Sequence, residues 1–163
     1  MAQEQHALEQ IAPKTTGDYL EVMSKAIFQA GMSWRVVEAK WEGTREVFHG
    51  FDALAVASMP EPEIAEAAQD RRIIRNRKKV EAIVDNARRM VELNEEHKGF
   101  RNYLRSHGGF EATVKDLRKN FRFMGEMGSF YFLYVVGETV PEYKDWCRSR
   151  GREPMAASPA RLS

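Results

Sequence analysis

The stretch from Gly128 to Gly137, "GSFYFLYVVG", constrains the fold of this chain more than any other. It carries no charge and is apolar on every side, so as a helix it has no face to offer to water. It is also too short to cross a bilayer. The segment must therefore be wrapped by other elements of the same chain, and helical spacing marks the candidates. Tyr19, Val22, Met23, Ala26 and Ile27 fall three and four apart, as do Val80, Ile83, Val84, Ala87 and Val91. Between them lie stop and start signals: Gly31, Ser33, Asp52, Pro60 and Asn76. Gly43 is expected to end the helix that Ser33 opens, and Thr44 to cap a short one running to Gly50. No strand-like alternation of useful length and no internal repeat is visible. The pattern predicts an all-α fold of about eight to ten short helices. At 163 residues the chain is long enough for one core. We expect a polar N-terminal arm over 1–16, a single all-α domain over 17–150 and a disordered tail over 151–163, rich in Pro, Ala and Ser.

Charge adds a second constraint. The formal net charge is only +1, yet residues 1–70 hold 5 basic and 12 acidic residues, and residues 71–163 hold 20 basic and 12 acidic. Such polarity lets a neutral molecule present a basic face to a polyanion. The densest basic run is "DRRIIRNRKKV", where six of the ten residues from Arg71 to Val80 are Arg or Lys. It lies between two helical patterns with room only for a tight turn. A turn of that kind aims backbone N–H groups and the positive end of the following helix at one spot, which suits a phosphate. Ile73 and Ile74 are positioned to anchor the turn in the core. The single cysteine, Cys147, excludes a disulfide framework. No secretory signal pattern opens the chain, so a cytoplasmic protein without membrane association is expected; at this size a monomer is the default.

A second stretch, "SKAIFQAGMSWRVVEAKW", ends one helix at Gly31 and opens the next with Ser33 and Trp34. Together, "QAGMSWRVV", "FHGFDALAVASM", "QDRRIIRNRKKVEAIVDNA" and "LRKNFRFMGEMGSFYFLYVVG" resemble the DNA-3-methyladenine glycosylase I family, a branch of the helix-hairpin-helix DNA glycosylases. The resemblance covers roughly residues 18–137. It implies a compact multi-helix glycosylase fold and, as partner, double-stranded DNA with alkylated bases. It implies a base-excision-repair reaction: extrusion of a base such as 3-methyladenine and hydrolysis of its glycosidic bond, with no cofactor. The leaving base is cationic, so the enzyme needs mainly to select and orient it. By resemblance Trp34 is the stacking tryptophan, Gly31 and Met32 form the loop that fills the gap in the duplex, and Arg72, Arg75, Asn76, Arg77 and Lys79 are the DNA-binding residues of the hairpin. Tyr131 is a candidate for lining the base cavity.

The sequence departs from the family in four places. Ungapped alignment on "QAGMSW" puts Ala26 where the family has its base-recognising glutamate, and alanine can accept no hydrogen bond. Glu126, just before the apolar helix, is the preferred substitute, and Glu38, one turn after Trp34, is the other candidate. The family's pocket-lining N-terminal tyrosine has no match in 1–16, and Arg72 replaces the hairpin glycine. The family's structural zinc, held by His and Cys near both termini, also lacks its donors: its C-terminal His position is Glu142, and His6, His49, His97 and His107 show no ligand spacing. No metal is expected. Two readings follow: an active monofunctional glycosylase, or an inactive relative that binds bent, damaged or abasic DNA.

Overall fold

The computed structural model of the protein describes residues 9–152. Most of the expected tail, and the first half of the expected N-terminal arm with His6, lie outside them. The remainder of that arm runs along the end of the apolar helix, where the Ile11 N–H donates to the Val135 carbonyl at 2.8 Å.

Chain-local chemistry sets the helix starts. Thr15 and Asp18 form a reciprocal capping box at the head of α1 (Thr16–Gln29). Ser33 caps α2 (Trp34–Ala39) through the Val36 N–H, and Asp52 caps α4 (Ala53–Ala57) through the Ala55 N–H. Between these two, α3 spans Trp41–Val47. Here the structure differs from the expectation: the break falls at Lys40, and Gly43 and Thr44 lie inside α3. The Thr44 hydroxyl is turned back onto the Lys40 carbonyl at 2.7 Å and so caps nothing downstream. Gly43 is required for packing instead. A β-carbon there would stand 2.7 Å from Cβ of Arg72 and 2.8 Å from its carbonyl oxygen.

Then follow α5 (Glu61–Ala67), a turn over 68–76, and α6 (Arg77–Glu96). α6 is the longest helix, and its Val80, Ile83, Val84, Ala87 and Met90 are fully buried. α7 (Phe100–Leu104), α8 (Phe110–Asn120), α9 (Glu126–Val135) and α10 (Tyr143–Ser149) complete an all-helical chain, with no strand among the described residues. α9 is the apolar segment. Phe132 and Leu133 sit inside the main core, wrapped by α1 and α8. Its opposite side, at Phe130, joins a smaller cluster with Tyr143, Trp146 and Cys147 of α10.

Candidate nucleic-acid interface and base site

Two corners of the fold come together. The first is the α1–α2 corner, where Gly31 adopts φ 78°, in the left-handed region that glycine tolerates. Gly31 is exposed, Met32 is half-buried, and the Met32 N–H donates to the Gln29 carbonyl. Trp34, the first residue of α2, meets Tyr131 of α9 with ring centroids 5.5 Å apart. Lys25 of α1 lies 5.7 Å from the Trp34 ring and forms an ion pair with Glu38 at 3.0 Å.

The Trp34 Nε1 atom is buried without a hydrogen-bond partner. Tyr131 is 9 % exposed, and its hydroxyl likewise makes no hydrogen bond among the described residues. Burial pushes the Tyr131 hydroxyl pKa up, and the negative charges of Glu38 and Glu21 push it further. Glu21 itself accepts from the Trp41 Nε1–H (2.9 Å) and from Arg45 Nε (3.0 Å). It is an acid of this corner that no local sequence signal marks, because only the fold brings Trp41 and Arg45 to it. Ala26 is 5 % exposed in the α1–α9 wall, facing Gly128 of α9.

Glu126 is placed elsewhere. Arg150 Nε reaches it at 3.3 Å, Arg152 Nη2 at 3.4 Å and Arg118 Nη1 at 3.9 Å. No hydrogen bond or ion pair joins it to Trp34 or Tyr131 among the described residues.

The second corner is the 68–76 turn, anchored by buried Ile73 and half-buried Ile74. Its basic residues divide into two groups. Some are consumed within the protein. Arg72 is bound to Asp70 (Nη2–Oδ2 2.9 Å) and to Glu46 (Nη1–Oε1 3.2 Å), and its hydrogen bond holds the Asp70 carboxyl below the usual range. Arg77 pairs with Glu81 at 2.8 Å and with Glu61. Asn76 caps α6 by accepting from the Lys79 N–H at 3.1 Å. Lys79, 8 % exposed, donates from Nζ to the Ala30 carbonyl at 2.9 Å, and burial lowers its pKa. The side chains of Arg71, Arg75 and Lys78 are exposed and enter no ion pair or hydrogen bond among the described residues. They stand beside the α6 N-terminus, where the first N–H groups have no helical acceptor. The Lys40 ammonium holds the back of the turn through the Arg71 carbonyl, at 3.1 Å.

The zinc that the family resemblance implies does not fit. The Glu142 carboxylate caps α10, accepting from the Asp145 N–H at 2.8 Å. Cys147 is buried against aromatic rings, and no group of three metal donors occurs among the described residues.

The family whose description is "Methyladenine glycosylase" matches residues 12–127. DNA-3-methyladenine glycosylase 1 of Escherichia coli (strain K12) is 29% identical over 147 residues, covering 77% of this chain and 79% of that protein. The DNA-3-methyladenine glycosylase of Haemophilus influenzae is 29% identical over 130 residues, covering 67% and 70%. Among solved structures, a crystal structure of 3-methyladenine DNA glycosylase I superposes with a TM-score of 0.69 at 28% identity, covering 79% of this chain and 83% of that one. The 3-methyladenine DNA glycosylase I of Staphylococcus aureus gives 0.70 at 25%, covering 82% and 81%. With more than two thirds of its length matched and the fold shared, the chain belongs to the methyladenine glycosylase family.

Proposed function

We propose that the protein is a DNA glycosylase of base-excision repair that releases N-alkylated purines such as 3-methyladenine. The observation that carries this reading is the hydrogen bond from Lys79 to the Ala30 carbonyl. It ties the basic turn, a helix-hairpin-helix in this reading, to the corner bearing Gly31, Met32 and Trp34. The hairpin grips one strand by its phosphates through the α6 N-terminus with Arg75, Lys78 and Arg71. Met32 enters the duplex where a nucleotide has left it. The extruded base stacks on Trp34, whose electron-rich face favours a cationic purine.

The unpartnered Trp34 Nε1 and Tyr131 hydroxyl are the polar groups left to read the base. Glu38, exposed and close enough to act on Tyr131, is the carboxylate we assign to stabilise the developing sugar cation or to receive the proton of the attacking water. Arg118, Arg150 and Arg152 already occupy Glu126. Loss of a cationic base needs no strong general acid, so catalysis survives without the family glutamate.

Release of 3-methyladenine from methylated duplex DNA tests the reading. Trp34→Ala should lower kcat/KM by about ten- to a hundredfold, the worth of a base–aromatic stack. A second reading, DNA binding without cleavage, is favoured by Ala26. It predicts tight binding of abasic duplex with no base released by the wild type.

A further inference from the structure

Lys25 of α1 stands at the corner of the base site, and the proposed reaction gives it no task. Its side chain is only 22 % exposed. Nζ lies 5.7 Å from the centre of the Trp34 ring and 5.5 Å from that of Trp41, and it meets Glu38 at 3.0 Å. An ammonium has three N–H donors. Glu38 takes one, and the other two enter no hydrogen bond among the described residues.

The polar groups around Trp34 are therefore rich in donors: the free Lys25 N–H groups, the buried Trp34 Nε1–H and the Tyr131 hydroxyl, which burial keeps protonated. Acceptors are scarce. Ala26 offers none, Glu38 faces Lys25, and Glu21 is engaged by Trp41 and Arg45. The Trp34 ring also carries a cation already, so a positively charged base meets a like charge at the surface on which it stacks. A neutral base meets no such repulsion. An exocyclic amino group placed here lacks an acceptor, whereas a ring carbonyl finds the Lys25 donors. That pattern disfavours adenine by its 6-amino group and guanine by its 2-amino group. It suits a purine with a carbonyl at C6 and no amino group, the product of deaminating adenine.

We propose that the Trp34 site has a second substrate class, neutral deaminated purines, with Lys25 as the group that receives the departing base. The inference rests on the reading that Trp34 is the platform for an extruded base. The C1′–N9 bond breaks with its electron pair staying on the base. The negative charge spreads to O6 and N7, where Lys25 donates a hydrogen bond and then a proton. Water adds to C1′ and gives its proton to Glu38. Glu38 returns that proton to Lys25 across the 3.0 Å between them, which restores the ion pair. A cationic base leaves without this help, so the two kinds of base share one platform and differ in their need for Lys25.

The test compares methylated duplex DNA with a duplex bearing a single hypoxanthine, the freed base being measured by chromatography. The wild type should release hypoxanthine and leave adenine or guanine at the same position intact. Lys25→Met should lower hypoxanthine release about a hundredfold. It should raise 3-methyladenine release about tenfold, since a like charge beside the cationic base is gone. These opposite signs separate a chemical role from a folding defect, which lowers both activities. Release of 3-methyladenine without hypoxanthine by the wild type overturns the inference and leaves the proposed function intact. Hypoxanthine release that survives Lys25→Met, or loss of both activities in that variant, also overturns it. If the wild type releases neither base, both readings fall.

Discussion

In the proposed reaction the decisive residue is Ala26. It is buried in the wall between α1 and α9, facing Gly128, which has no side chain of its own. Ala26→Glu is expected to raise 3-methyladenine release at least tenfold, as a carboxylate meeting a cationic base contributes about 1.5–3 kcal/mol. No gain, in a variant that keeps its thermal stability, would show that the pocket has been rebuilt around the alanine. Glu38 and Glu126 separate in the same assay: Glu38→Gln should lower kcat by about ten- to a hundredfold, and Glu126→Gln should leave it near the wild-type value. The sequence favoured Glu126, and the fold reverses that order. Sequence spacing carried no information about the three arginines, Arg118, Arg150 and Arg152, that fold onto Glu126. Nor did it show Glu21 converging with Trp41 and Arg45 near Tyr131.

At the level of elements, the helices were legible because their signals are local. Asp52, Ser33 and Asn76 cap the helices they were expected to cap, and uniform apolarity placed α9 in the core. The α2–α3 break was not legible. Gly43 reads as a stop in isolation, yet its use is to let α3 approach Arg72. The 68–76 turn shows the same limit for charge: composition counts cations but does not say which way they point. Lys79 turns inward to Ala30, and Arg72 and Arg77 meet acids distant in sequence, Glu46 and Glu61. Exchange of the two groups should therefore have different signatures. Lys79→Met is expected to cost about 1 kcal/mol of stability, read by urea unfolding, with the salt slope of DNA binding unchanged. Arg75→Ala with Lys78→Ala should leave stability intact and reduce that slope by about two. A reduced slope in Lys79→Met would reassign its amine to a phosphate.

The whole molecule depends on fastenings among α6, α7 and α8. The Tyr103 hydroxyl donates to Asp116 at 2.6 Å, the Asn120 amide donates to Asp116 at 2.8 Å, and Arg89 of α6 donates to Asn120 at 2.8 Å. Burial would raise the Asp116 carboxyl pKa, but the hydrogen bonds from Tyr103 and His107 outweigh it and hold the value below 3.8. A folded-state value below the unfolded one means that the stabilisation is complete above about pH 4 and is lost as pH falls through the lowered value. Asp116→Ala should thus cost about 1–3 kcal/mol at pH 7, with wild-type and variant stabilities converging below pH 3.8. An equal gap at pH 7 and pH 3 would refute the assignment.

The bond between Lys79 and Ala30 has a mechanical consequence. In the proposed reading, with Met32 at the point of insertion and the head of α6 at the point of grip, this one short strut sets the spacing between them. It works as a caliper of fixed opening. The duplex must do the bending, at a cost of several kcal/mol that depends on the stiffness of the sequence around the lesion. Flexible pyrimidine–purine steps beside a damaged base should then speed its removal while the protein backbone stays the same in the free and bound states.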